Sequence, residues 1–110
     1  MAHAASLPIP AGQTEAVRHL LSESLGPRRA EYEDLQRRSG ITEETYWLQS
    51  SAEGDVLIVV SNRDQSAFME IMANPQTPFD HWFRDQMEEI WGAGQNAQPA
   101  PPNELIGSWP

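Results

Sequence analysis

Gly54-Asp55-Val56-Leu57-Ile58-Val59-Val60-Ser61 decides the fold. Its apolar run is unbroken from Val56 to Val60, and every member except Leu57 is β-branched, the side-chain type that packs best on a pleated sheet. Successive side chains of a strand point to opposite faces. Val56, Ile58 and Val60 therefore go one way, and Leu57 and Val59 go the other. A strand with one wet face alternates apolar and polar residues. This one does not, so it reads as a central strand with both faces covered.

Thr45-Tyr46-Trp47-Leu48-Gln49-Ser50 is also rich in strand formers, and Ala52-Glu53-Gly54-Asp55 turns it into the run above. The middle of the chain is thus a β-hairpin. Upstream, Ala16, Val17, Leu20, Leu21 and Leu25 recur at helical spacing from Thr14. Gly26-Pro27 interrupts that pattern, so a second helix starts there or the first one kinks; the helical reading continues over 28–39, with Gly40 as its stop. Glu33/Arg37 and Asp34/Arg38 are acid-before-base pairs one turn apart, each worth about 0.2–0.5 kcal/mol.

Downstream, Asp64 is placed to cap a helix over 65–73. Thr77-Pro78-Phe79-Asp80 is the clearest helix start in the chain. Thr77 is the cap, Pro78 takes the first position and Asp80 can return a bond to the cap. Phe79, Trp82, Phe83, Met87, Ile90 and Trp91 then follow at helical spacing as far as Gly92. Residues 2–9 read as a short strand in which Pro8 must sit at an edge or at the strand's end. Residues 93–103 read as a loop or linker, and Glu104 to Trp109 as a terminal strand. The order is strand, helix pair, strand, strand, helix pair, strand. That predicts an α+β, ferredoxin-like βαββαβ domain over 1–110, with a four-stranded antiparallel sheet and doubled helical segments.

Helices cover one face of such a sheet, so the other face needs a different cover. A second copy, packed sheet to sheet, is the expected one. The alternative is the chain's own segment 99–110 folding back, with Leu105 and Trp109 as a lid.

Composition narrows the function classes. A chain of 110 residues suits one core. It contains no cysteine, which excludes disulfides, thiolate metal sites and cysteine nucleophiles. All seven basic residues are arginines, and the net charge of −9 argues against nucleic-acid and anionic-membrane partners. No apolar run approaches the ~20 residues of a membrane helix. The N-terminus carries no secretory signal pattern, so a cytoplasmic location is expected.

Candidate chemistry is sparse. His3, His19 and His81 are scattered, so no metal site is expected. His3 sits among small alanines, where it faces either solvent or a space in which it acts as acid, base or ligand anchor. Tyr46 and Trp47 are adjacent on a strand, so one of them points to the open face and can floor a pocket for a flat or apolar ligand. Arg28 and Arg29 lie at a helix start, against the helix dipole. They mark either a salt bridge, which is preferred, or an anionic partner. Glu43-Glu44 and Glu88-Glu89 diverge as neighbours and read as solvated.

Three stretches carry a family likeness: Gly26-Pro27-Arg28-Arg29-Ala30-Glu31-Tyr32, Tyr46-Trp47-Leu48-Gln49, and Pro78-Phe79-Asp80-His81-Trp82-Phe83-Arg84. They resemble small stand-alone members of the dimeric α/β-barrel superfamily, in particular a family without an assigned function. The resemblance implies a homodimer built through the sheet face. It does not imply an activity, because that superfamily includes cofactor-independent monooxygenases, haem enzymes, isomerases and stress-related proteins. No catalytic or haem-binding motif of these transfers residue by residue, and no cofactor is expected. The expectation is a dimer that binds a small apolar or aromatic molecule, with His3, Tyr46, Trp47 and Arg28 as candidate ligand contacts. Two alternatives stay open: a cofactor-free oxygenase or isomerase using the same residues, and a module whose open sheet face binds another protein.

Overall fold

The computed structural model describes residues 2–92 and 103–110. In chain order the elements are β1 (His3–Pro8), α1 (Thr14–Leu25), α2 (Arg29–Arg38), β2 (Glu44–Ser51), β3 (Gly54–Ser61), α3 (Ser66–Ala73) and α4 (Pro78–Trp91). The strands form one antiparallel sheet in the order β1-β3-β2. The apolar strand is therefore central, as its pattern demands. Leu57 pairs with Leu7 on one side and Leu48 on the other, and all three point to the helices.

The helices form a layer over that face alone. Leu35, Val17, Leu20, Phe79, Phe83 and Ile90 are among the side chains buried between them and the sheet. Full burial of each such side chain is worth roughly 1.5–3 kcal/mol. The hairpin turn is tight: Ser51 Oγ accepts from the Glu53 amide and donates to the Gly54 carbonyl, and Gly54 takes φ +125°. Gly40, at φ +73°, ends α2 in a left-handed conformation, and the Ile41 amide reaches back to the Gln36 carbonyl at 2.9 Å.

The expected four-stranded sheet is not formed. Among the described residues the sheet has three strands, and Glu104–Trp109 has no strand pairing. Among the described residues the ferredoxin-like βαββαβ arrangement therefore lacks its last strand, and their sheet is not half of a barrel of paired four-stranded sheets. The reason lies on the free edge of β1. The Ile9 amide bonds the Asp55 carbonyl of β3, and the alternation this sets turns the carbonyls of Ala4, Ser6 and Pro8 outward. Two of them already have side-chain donors. Asn103 Nδ2 donates to Ala4, and Trp91 Nε1 donates to Pro8 at 2.9 Å. Pro8 offers no N–H to that edge at all. Leu105 and Ile106 are also neighbours, so a strand there would send one of them outward. Most of the expected 93–103 loop lies outside the described residues.

Two smaller expectations also change. Asp64 lies one residue ahead of the cap position, which Gln65 takes, and its Oδ1 accepts from the amide and hydroxyl of Ser66, the first residue of α3. The Asp34–Arg38 pair forms at 2.9 Å, but Glu33 pairs with Arg29 and Arg37 turns to Asp34.

One contact joins distant parts of the helical layer. Asp80 has no exposed side-chain surface and sits in the capping box with Thr77. Arg38 reaches it from α2 with a two-pronged contact of 2.8 and 2.9 Å. Burial pushes the Asp80 carboxyl up, but hydrogen bonds from Arg38, Gln76 and Thr77 outweigh it and hold the group down at about 2. Since the folded value lies below the ordinary 3.8, the stabilisation is complete above 3.8 and is lost as pH falls toward 2. Asp80→Asn should cost about 1–3 kcal/mol in urea unfolding, because it removes the charged end of the fork and leaves Arg38 with Asp34 alone. The wild-type stability should fall between pH 3.8 and 2, and the fall should be shallower in the variant. Equal slopes in both proteins would contradict this assignment.

Candidate functional site

The pairing register places the side chains of the sheet in rows. On the helix side the rows are His3–Ser61–Glu44, Ala5–Val59–Tyr46 and Leu7–Leu57–Leu48. On the other side they are Ala4–Val60–Thr45, Ser6–Ile58–Trp47 and Pro8–Val56–Gln49. Among the described residues no helix covers this second set. Trp47 is its largest member and remains 62% exposed. Leu105, Ile106 and Trp109 are 66%, 92% and 94% exposed, so the C-terminal segment does not pack as a lid on its own sheet.

Two open clefts lie along the free edge of β2, and Tyr46 lines both. The first is about 510 Å³ and runs between α1 and β2. Val17, Leu21, Leu48 and Leu57 give it an apolar wall, Trp47 stands at its mouth, and Arg18 and His19 lie on the α1 side. Its size falls within the ~300–1,000 Å³ typical of small-molecule sites. The second is about 400 Å³ and lies between α2 and the start of β2.

Behind the second cleft is a polar cluster. Glu44 Oε1 accepts from Tyr46 Oη at 2.5 Å and Gln36 Nε2 at 2.6 Å, and its Oε2 accepts from Gln65 Nε2 at 2.9 Å. The Tyr46 proton is committed to Glu44, so Tyr32 donates to Tyr46 across 2.5 Å. The result is a relay from Tyr32 through Tyr46 to Glu44. Tyr32 is held by stacking on Phe83, with ring centroids 5.5 Å apart. Burial pushes both phenols above their ordinary value of 10, and the Glu44 charge adds to the effect. The relay thus keeps both hydroxyls protonated, and its chemistry is that of hydrogen-bond donation rather than nucleophilic attack.

The four expected site residues separate into two groups. Tyr46 and Trp47 come together along the first cleft, although Tyr46 faces the helices and Trp47 the uncovered side. His3 is exposed at the start of β1 and lines neither cleft. Arg28 also lines neither. It pairs with Glu31 at 3.1 Å and lies over the rings of Trp82 at 4.3 Å and Phe79 at 4.8 Å, where it fastens the start of α2 to α4. The preferred salt-bridge reading of Arg28 is therefore what the structure shows. A single reaction centre using all four residues is not assembled.

Glu44 was expected to be solvated and is not. It is half-buried at the foot of the cluster, while Glu43 is exposed. Strand parity gives this away: Glu44, Tyr46 and Leu48 share a face, so a residue in step with the inward Leu48 also points inward. Among the described residues there is no group of three or more metal-binding side chains, and no helix is long and apolar enough to cross a membrane.

No protein-family model, curated protein or solved structure matches the chain. The site must be read from its own geometry.

The two tyrosines of the cluster are the only tyrosines in the chain, so ultraviolet titration reads the relay directly. Raised folded values mean that full stability holds below pH 10 and is lost as pH rises above it. Tyrosinate should therefore appear only together with unfolding. Titration of either residue near pH 10 in the folded protein would contradict the relay.

Proposed function

We propose that the protein is a non-catalytic binding protein. It pairs with a second copy across the uncovered sheet face and holds a small apolar or aromatic molecule in the cleft between α1 and β2. The observation that carries this reading is the position of Trp47. It is a large aromatic left 62% exposed, standing where the apolar sheet face meets the mouth of the cleft. Tryptophan in such a place is characteristic of contact surfaces, because it supplies a large apolar area with little conformational freedom to lose.

The central strand supports the pairing. Val56, Ile58 and Val60 form an apolar ridge flanked only by small or polar neighbours, apart from Trp47. Homodimers bury such faces against themselves around a two-fold axis. A homodimer through the sheet face, without the four-stranded barrel, is also what the sequence resemblance implies. The cleft wall of Val17, Leu21, Leu48 and Leu57 supports an apolar ligand, and the Tyr46 hydroxyl is committed to Glu44 rather than free to react.

Naphthalene serves as the probe. In a nitrogen–proton spectrum it should shift the Trp47 indole and the Leu48 and Val17 amides in a saturable way. Trp47→Ala should weaken binding about tenfold, equal to roughly 1.4 kcal/mol. Ile58→Glu, on the sheet face away from the cleft wall, should elute as a monomer with an unchanged circular dichroism spectrum. Absence of saturable shifts overturns the ligand reading, and an unaltered elution of Ile58→Glu overturns the pairing.

A further inference from the structure

The uncovered face is too small to hold two copies together by itself. Strands ~4.8 Å apart and ~3.4 Å per residue give roughly 300 Å² for a sheet of this width and six paired rows. A standard stable interface takes roughly 800 Å² from each partner. Something else must contribute, and the C-terminal segment carries three large apolar side chains that lie open. Leu105, Ile106 and Trp109 are 66%, 92% and 94% exposed. A tryptophan offers ~200 Å², and Leu and Ile roughly 100 Å² each. With these added, the shared surface comes close to the standard value.

The segment also starts in the right place. The Asn103 side chain bonds the Ala4 carbonyl, so Glu104–Pro110 leaves from the free edge of β1, at the border of the uncovered face. When two sheets face each other about a two-fold axis along the strands, β1 of one lies over β2 of the other. The segment then emerges beside the Trp47 edge of the second copy. We infer that the C-terminal segment Glu104–Pro110 is an exchanged arm, which runs along the β2 edge of a second copy of this chain, beside the sheet-to-sheet contact, and closes the mouth of its α1–β2 cleft at Trp47. This rests on the pairing proposed above and adds that each copy completes the other's binding site.

The chain contains no cysteine, so introduced thiols report without background. Ser108→Cys places one on the arm. Gln49→Cys places one on the uncovered face, next to Trp47 along β2. Mixing the two single variants under mild oxidation should give a covalent heterodimer, identified by mass with one chain isotope-labelled. In a separate Leu105→Glu/Ile106→Glu variant, both substituted side chains are exposed and the fold should hold by circular dichroism. Its dimer dissociation constant should rise at least tenfold.

A wild-type dimer whose affinity is untouched by Leu105→Glu/Ile106→Glu, with no mixed disulfide, overturns the arm and leaves the pairing standing. A wild-type monomer overturns both. So does a disulfide that forms only within one chain of the Ser108→Cys/Gln49→Cys double variant, since it would place the segment on its own sheet.

Discussion

The structure is organised by a central strand that is apolar on both faces. Leu57 and Val59 face the helices and join the core; Val56, Ile58 and Val60 face the other way, where no helix lies. A three-stranded sheet leaves such a strand hydrogen-bonded on both edges but covered on one side only. The helical layer solves half of the problem. Its own rigidity comes from a few strong contacts, above all the Arg38–Asp80 fork between α2 and the start of α4, and the stacking of Arg28 on Trp82.

The second half of the problem connects fold to function. The rim of the uncovered face is the free edge of β2, and both clefts open along that edge. Tyr46 belongs to the core side of the strand and Trp47 to the uncovered side. In the proposed dimer, the copy that covers the sheet would therefore also reach the mouth of the first cleft. The Tyr32–Tyr46–Glu44 relay fixes the strand at this point, because three neutral donors converge on Glu44 from β2, α2 and the segment before α3. In the proposed function, its place is that of a support beneath the contact surface.

Much of this was legible in the chain. The unbroken run from Val56 to Val60 implied a central strand. Thr77, Pro78 and Asp80 carry the capping box in full, and Gly40 marks the end of α2. What could not be read was longer in range. The Arg38–Asp80 fork joins residues 42 positions apart, and neither residue's local pattern points to the other. The fourth strand failed because the edge it would use is occupied by the Asn103 and Trp91 side chains, a competition no periodicity records. Glu44 was within reach, since strand parity alone aligns it with Tyr46 and Leu48. The pair Glu43-Glu44 masked this by looking like a solvated acidic run. Of the expected site residues, Tyr46 and Trp47 meet because they are neighbours in sequence. His3 and Arg28 stand apart because their elements place them at other borders of the molecule.

Sedimentation equilibrium of the unaltered 110-residue chain, from low to high micromolar concentration, tests the central claim most directly. A sheet face that must be covered by another copy predicts a mass tending to twice the 12.3 kDa of one chain. A mass that stays at 12.3 kDa throughout would show that the apolar face tolerates water, and the account built on it would be wrong.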